Sequence, residues 1–421
     1  MNSALEVQLF GHPMGRLTLQ GPLRSPEDWS FTYDGVWLAA PGAIALSLSL
    51  PLQSSPHLGA RVRNWFCNLL PEGAVREAIT TRLRLPGRDD FSLLTAIGGE
   101  CAGAVSLLPP GPVPSVGGEE TDLAALLAGD GGAAAGDAWS LLGVPARLSL
   151  AGAQDKIAVV RHPDGRLRVP DAGELSTHII KPESPRFAGL RDLEALGLTL
   201  ATAIGLTAAP ATPLMLAGRP ALLVERYDRA RSDDGSVHRL HQEDFCQALG
   251  YPGELKYEAG GGPTLAACAD LVRRHALGAT SLQALLDWVV FNALIGNADA
   301  HGKNLALICD QDGRRTIAPF YDLVPTIAWS ARLIDRAPAL RIGHAPRMDA
   351  IGVEDWRAFA TACGFGQRFV LRRVATMAEA LLARLPDTIG TLAGAGANPI
   401  HLERGGEAIR LQAEGIAQRA R

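Results

Sequence analysis

The side chains with most chemical capacity lie between Ile295 and Thr326, in IGNADAHGKNLALICDQDGRRTIAPFYDLVPT. Asp299, His301, Lys303 and Asn304 fall within six residues, and Asp322 follows 18 residues after Asn304. The pattern predicts a hairpin, with strands over Leu305–Ile308 and Arg314–Ala318 and DQDG turning between them. A hairpin returns its end close to its start, so Asp322 is expected beside Asn304. Carboxylates and an amide oxygen gathered there are hard ligands of the kind Mg²⁺ takes, with substrate phosphates completing the octahedron. Phosphoryl transfer needs this set: one carboxylate receives a hydroxyl proton, while an Asn and a second Asp hold metal against the nucleotide. A kinase catalytic loop has the same Asp-x4-Asn spacing and the same hairpin before its metal-binding Asp; here DAHGKN replaces the HRD-type loop and YDL replaces DFG. Asp and Asn in a loop after a helix are also ordinary capping residues. The reading therefore needs a nucleotide clamp earlier in the chain.

Candidates for that clamp occur in the required order. Leu150–Lys156, LAGAQDK, lies between two strand candidates, and its small residues (Ala151, Gly152, Ala153, with Gln154, Asp155 and Lys156) let backbone N–H groups approach phosphates. Lys181 ends the strand of THIIK, where an ammonium can reach the α- and β-phosphates as a point charge. Glu194, on the next helix, is a candidate partner for it. LLVERYDR then offers Glu225, Arg226 and Tyr227 as a hinge that presents backbone groups to an adenine.

The elements that must position these residues follow from the same patterning. Strands are expected over Glu6–Leu9, Arg16–Leu19, Ser30–Tyr33 and Ile44–Leu50, and a helical stretch over Val62–Leu83 broken at Pro71 and Gly73. FSLLTAIGGECAGAVSLLP reads as helix, glycine turn and buried strand. Residues 109–136, rich in Pro, Gly and Ala, read as a linker or exposed insertion. Strands follow around an Asp-Gly turn and over STHIIKP, TPLMLA and ALLVERYDR, with a helix over Arg191–Gly205 between them. Beyond Asp244 the signal is helical: Ser281–Ile295 is apolar nearly all round, and Val353–Leu385 and Leu402–Arg421 are amphipathic.

The bulk numbers agree with a globular chain. Its 421 residues are 47% hydrophobic and 20% charged, with a net charge of -4, so no global basic footprint for nucleic acid exists. The six cysteines are scattered without a CxxC pair, which suggests neither a zinc ribbon nor a disulfide framework. The N-terminus lacks a secretory pattern and no run approaches the ~20 apolar residues of a membrane span. A cytoplasmic location without membrane attachment is expected.

Taken together, LSLAGAQDK, STHIIKPES, LLVERYDR, LHQEDFCQALG followed by KYEAGGGP, IGNADAHGKNLAL and APFYDLVPT resemble the HipA family of serine/threonine kinases, the toxins of type II toxin–antitoxin modules. NLLPEGAVREAI and IGGECAGAVSLLP match the domain that precedes the kinase core in that family. The resemblance spans almost the whole chain. It implies an α+β, bilobal protein-kinase-like fold, with a strand-rich N-lobe over 137–228 and a helical C-lobe over 229–421. A small α/β module over 1–108 and the insertion over 109–136 precede it. It implies ATP and Mg²⁺ as cofactors, Asp299 as catalytic base and Asn304 and Asp322 as metal holders. Ala151–Lys156 would be the phosphate loop, Lys181, His301 and Lys303 would contact phosphates, and Glu225–Tyr227 would form the hinge. Ser149 sits where family members autophosphorylate, an event that expels the phosphate loop and silences the kinase; a dianion there repels ATP. The implied partners are a small HipB-like helix-turn-helix antitoxin, operator DNA mainly through that antitoxin, and a protein substrate such as an aminoacyl-tRNA synthetase. Three other readings stand beside this one: a small-molecule kinase of related fold, a metal-dependent hydrolase using the Asp and His of DAH, and a catalytically weak ATP-binding co-repressor.

Overall fold

The computed structural model describes residues 3–21, 25–87, 89–111, 123, 156–171 and 174–420. Ser149, the loop residues 151–155 and nearly all of the expected insertion lie outside these. The chain forms two compact units: Met1–Lys181 with Arg226–Glu254 and Leu307–Arg315, and Pro182–Glu225 with Leu255–Ala306 and Thr316–Arg421.

The first unit is built on a five-stranded sheet of order β4-β3-β2-β1-β5, with β1 Ser3–Leu9, β2 His12–Leu19, β3 Trp29–Tyr33, β4 His57–Leu58 and β5 Val105–Leu108. Its pairings are antiparallel, β1 lying between β2 and β5. The period-2 pattern of β1 buries Leu5, Val7 and Leu9 on one face. Helices Ala60–Cys67 and Asp90–Ile97 supply Trp65, Phe66, Phe91 and Leu94 to the same core, where Trp29 meets Phe91 edge-on at 5.5 Å. The expected strand over Ile44–Leu50 is absent. Its alternation reflects the burial of Ile44, Leu46 and Leu50 alone, while Ser47 and Ser49 turn to other partners. Ser47 Oγ donates to Glu243 at 2.5 Å and Ser49 Oγ to the Gln247 carbonyl at 2.8 Å. Ile157–Arg161 pairs antiparallel with Leu167–Arg168 across the Asp-Gly turn, as expected, and on its other side with His178–Pro182.

The second unit is mainly helical, with one hairpin of Ala211–Leu216 and Arg219–Glu225. Helix Leu190–Ala203 carries the expected apolar periodicity and buries Leu193, Leu196 and Leu200. Helix Gly278–Ile295 is long and apolar enough to cross a membrane by length and composition alone, contrary to the expectation that no segment would be. Most of it is buried, and it contacts the helices Leu265–Arg274, Gln367–Gly394 and Pro399–Arg419, as the core helix of a globular unit does. Its last carbonyls are partly satisfied by Gln412, whose Nε2 donates to Ala293 O at 3.0 Å and to Met348 O at 2.8 Å. The helical stretch expected over Val353–Leu385 is two helices, Val353–Ala362 and Gln367–Gly394, and the second runs on through Pro386. A mid-helix proline costs about 3 kcal/mol. Here Leu381, Leu385, Thr388 and Leu392 stay buried along one stripe, and that burial carries the helix through the break.

Candidate active site

The site begins where the core helix ends. Gly296 (φ 68°) takes the left-handed C-cap conformation, and the Asn297 N–H closes on the Asn292 carbonyl at 2.9 Å. Glycine is needed twice over here, because a Cβ would also press to 2.5 Å from Ile327 Cγ2. The chain thereby leaves the helix with the Asn297 side chain pinned inward. Its Nδ2 donates to Asn292 Oδ1 at 2.8 Å and to the Asp322 carbonyl at 3.3 Å, and its Oδ1 accepts from the Asp299 N–H at 3.2 Å. One buried amide thus joins the loop of Asp299 to the loop of Asp322.

The expected return of the chain is realised. Strands run over Ala306–Cys309 and Arg315–Ile317, each within a residue or two of expectation, and the Ala318 N–H donates to Ala306 O at 2.9 Å. Thr326 closes the other end: its Oγ1 accepts from Ala298 N at 2.8 Å and donates to Gly296 O at 3.0 Å. Tyr321 Oη donates to the Lys303 carbonyl at 2.6 Å. Asn304 Nδ2 donates to the Asp299 carbonyl at 3.0 Å, which leaves Asn304 Oδ1 as the remaining acceptor of that side chain. Hydrogen bonds to the backbone of Asp299 and Asp322 therefore bring the loops that carry Asp299, Asn304 and Asp322 together.

Asp322 has φ 51°, a left-handed conformation that a non-glycine residue adopts rarely and at a cost. The surroundings hold it there. Phe320 exchanges backbone hydrogen bonds with 207 and 209 (Phe320 N to Thr207 O, Ala209 N to Phe320 O, both 2.8 Å). Gly197, in the middle of helix Leu190–Ala203, lies directly against the Leu323 carbonyl.

Among the described residues no cluster of three or more His, Cys, Asp or Glu could form an all-protein metal cage. The expected donors, the Asn304 amide oxygen and the Asp322 carboxylate, are hard oxygen ligands. They fit Mg²⁺, which keeps waters and phosphate oxygens in its shell, and do not fit a soft transition metal.

The other expected residues fall as follows. His301 and Lys303 are buried in the loop that follows the core helix, beside Asn304, and Asp299 is exposed. Lys181 and Glu194 are both buried, each in its own unit. Lys156 is half-buried. The hinge candidates are more constrained than the sequence suggests. The Glu225 N–H is taken by Pro210 O at 2.8 Å and the Arg226 N–H by Thr177 O at 3.0 Å. The Arg226 side chain is buried in an ion cluster with Asp228 (2.7 Å) and Glu100 (3.2 Å), and Arg229 reaches the same two carboxylates at 3.2 and 2.9 Å. Ser176 Oγ and the Gly103 N–H add donors to Glu100 and Asp228. Burial opposes ionisation of both acids, but the charges of Arg226 and Arg229 outweigh it and hold both carboxyls below their ordinary range. Burial and the like charge of Arg226 push Arg229 down to about 10. Tyr227, by contrast, is half-buried.

Comparison with known proteins settles the family. The HipA-like C-terminal domain matches residues 148–385, and the HipA N-terminal domain matches residues 5–108. The chain belongs to the HipA family. Y4mE of Sinorhizobium fredii (strain NBRC 101917 / NGR234), provisionally named a kinase, is 40% identical over 89% of this chain and 91% of its own. The serine/threonine-protein kinase toxin HipA of Shewanella oneidensis is 32% identical over 76% of this chain and 74% of its own. The fold is that of HipA: the solved complex of Shewanella oneidensis MR-1 HipA with HipB and its operator DNA superposes with a TM-score of 0.80 at 23% identity, covering 99% of this chain and 98% of that one. The α+β class expected from the sequence, strand-rich first and helical after, is the class observed.

Two residues bonded to these loops escaped the sequence reading. Asn297 lay within the quoted motif but carried no spacing signal. Tyr257, whose phenol donates to Asp299 Oδ1 at 2.7 Å, lies 42 residues upstream in KYEAGGGP, a separation that periodicity cannot bridge.

Proposed function

We propose that this HipA-family chain is an ATP- and Mg²⁺-dependent protein serine/threonine kinase and the toxin of a HipBA-like module. The observation that carries the reading is the tie between the loops of Asp299 and Asp322 through the Asn297 amide, with Asn304 bonded to the Asp299 carbonyl. In the reaction, a serine or threonine hydroxyl attacks the γ-phosphorus, the new O–P bond forms as the β–γ bridge breaks, and ADP departs. Asp299 receives the hydroxyl proton. Mg²⁺ held by Asn304 and Asp322 would supply neutralising charge to the nucleotide phosphates. Asn297 keeps the two loops in register, so that the base and the metal holders act on one phosphoryl group.

The remaining roles belong to the same reading. Residues 151–156 form the phosphate loop, with Lys181, His301 and Lys303 on phosphates. Glu225–Tyr227 form the hinge, in which Arg226 supports the segment through its buried ion cluster instead of reaching nucleotide with its side chain. Ser149 is the autophosphorylation site. The domain limits follow the sequence: 1–108, the 109–136 insertion, 137–228 and 229–421. A HipB-like helix-turn-helix antitoxin is the expected partner, supported by the company Shewanella HipA keeps in its solved complex. Operator DNA is then contacted mainly through that antitoxin, which agrees with a net charge of -4. The location is cytoplasmic and the target a translation-related protein such as an aminoacyl-tRNA synthetase.

The test is phosphoproteomics of cells expressing the wild-type chain or Asp299→Asn, alongside growth curves. New phosphoserine or phosphothreonine on a translation protein, with slowed growth, both lost in Asp299→Asn, is the expected result. Phosphate found only on a metabolite, or equal growth and identical phosphoproteomes, overturns it.

A further inference from the structure

The motif IGGECAGAVSLLP of the first module takes no part in the catalytic reading, yet its Glu100 bonds to Ser176 and to Arg226. We infer that Glu100 is a positioning residue for the nucleotide: its carboxylate joins the segment leading to Lys181 to the hinge at Arg226, so that both meet the nucleotide in register. The inference rests on the roles of Lys181 and Glu225–Tyr227 proposed above, and adds to them a residue from outside the kinase core.

Glu100 lies between helix Asp90–Ile97 and strand Val105–Leu108. Ile97, Cys101, Ala104 and Val105 around it are buried in the core of the first unit's sheet, which fixes where this turn stands. Its Oε1 accepts from the Ser176 N–H at 3.1 Å and from Ser176 Oγ at 2.7 Å. The same oxygen accepts from Arg226 Nη1 at 3.2 Å and from Arg229 Nη2 at 2.9 Å. One carboxylate oxygen thus holds two segments that lie 50 residues apart in the chain. Ser176 stands just before strand His178–Pro182, which carries Lys181, and Arg226 is the middle residue of the hinge. The two segments also bond directly. Arg226 Nη1 donates to Ser176 Oγ at 2.8 Å, and the Arg226 N–H donates to Thr177 O at 3.0 Å. Glu100 and Ser176 are both buried, where a low local dielectric strengthens such bonds.

The residues after Glu100 extend the same support. Cys101 O accepts from Arg226 Nη2 at 3.2 Å, the Gly103 N–H donates to Asp228 Oδ2 at 2.6 Å, and Gly103 O accepts from Arg229 Nη1 at 3.2 Å. Gly103 has φ 75°, and a Cβ there would lie 2.6 Å from Gln242 N, so only glycine allows this approach. Pairing of charge alone would need only side chains. Here main-chain groups of 101, 103 and 176 are bonded into the cluster as well, so it sets backbone position as well as balancing charge. Backbone position is what a nucleotide site depends on, because its contacts work only at fixed distances.

Glu100→Gln keeps the size of the side chain and removes its charge. Ser176→Ala removes only the hydroxyl that bonds both Glu100 and Arg226. The experiment titrates the purified full chain and each variant with ADP and Mg²⁺ by calorimetry, because ADP offers adenine and the α- and β-phosphates without turnover. Circular dichroism gives the folded fraction of each preparation. The expected result is a Kd raised about tenfold in Glu100→Gln and about threefold in Ser176→Ala, with the number of sites per folded chain unchanged. A merely structural role would lower the number of sites in step with the folded fraction and leave Kd at the wild-type value, and that result overturns the inference. Should Glu100→Gln fail to fold, Ser176→Ala decides alone, and a wild-type Kd in it overturns the inference. A wild-type chain that binds no ADP removes the nucleotide reading and this one together, whereas a wild type that binds and is matched by the variants removes this one alone.

Discussion

Gly197 lies against the Leu323 carbonyl so closely that no side chain fits between them. Helix Leu190–Ala203 therefore acts as a floor for the loop carrying Asp322, and the absence of a single Cβ sets that loop's height. Gly197→Ala is expected to displace Leu323, cost about 1–3 kcal/mol of stability and lower turnover far more than that loss explains. Chemical denaturation and ATP turnover on the same preparation check this. Wild-type turnover in Gly197→Ala would remove the floor from the account.

Asp322 offers a way to separate strain from chemistry. Its φ of 51° suits glycine and penalises alanine by about 1–2 kcal/mol. Asp322→Ala and Asp322→Gly should both lose Mg²⁺-dependent turnover, while the glycine variant unfolds at higher denaturant than the alanine variant. Turnover surviving in either variant would refute the metal assignment.

The cluster around Arg226 makes a prediction about stability. Glu100 is buried and faces both Arg226 and Arg229. Glu100→Gln leaves two buried guanidinium groups sharing Asp228 as their acidic partner in this cluster, a loss of about 3–5 kcal/mol. Because both carboxyls are depressed below their ordinary range, their contribution is present above pH ~4 and disappears as pH falls through the lower folded values. A loss under about 1 kcal/mol at pH 7 would show that the cluster is replaceable.

His241 predicts a second pH dependence at higher pH. Burial pushes its imidazole from 6.5 down to about 4, and its Nε2 lies 2.8 Å from the Leu46 carbonyl, a contact that suits the neutral Nε2–H tautomer. Between those values the unfolded chain binds a proton that the folded chain refuses. The contribution is therefore complete above pH 6.5 and declines as pH falls toward 4, by about 1.4 kcal/mol per pH unit. Urea midpoints measured from pH 7 to pH 5 should fall less steeply in His241→Gln. An unchanged slope would contradict the buried neutral imidazole.

Much of this was legible in the sequence because it rests on short-range rules. Asp299, Asn304 and Asp322 stand out because one hairpin joins them, and that hairpin announces itself by two short strand candidates on either side of the DQDG turn. The helix ending at Gly296 announced itself by composition. Tyr257 and Asn297 were not legible, because a phenol 42 residues upstream and an amide that bonds sideways to a carbonyl leave no periodicity. The false strand over Ile44–Leu50 and the proline inside Gln367–Gly394 fail for a common reason. Local pattern reports burial and propensity, whereas tertiary partners such as Glu243 decide whether a strand pairs or a helix continues.

The most direct test of the account is transfer of labelled γ-phosphate by the purified chain with ATP and Mg²⁺, comparing wild type with Asp299→Asn at matched folded concentration. The account predicts label on serine or threonine with wild type, and a loss of about a thousandfold or more in Asp299→Asn, the scale expected when a general base and its orientation are removed together. Equal labelling by the two proteins would contradict it.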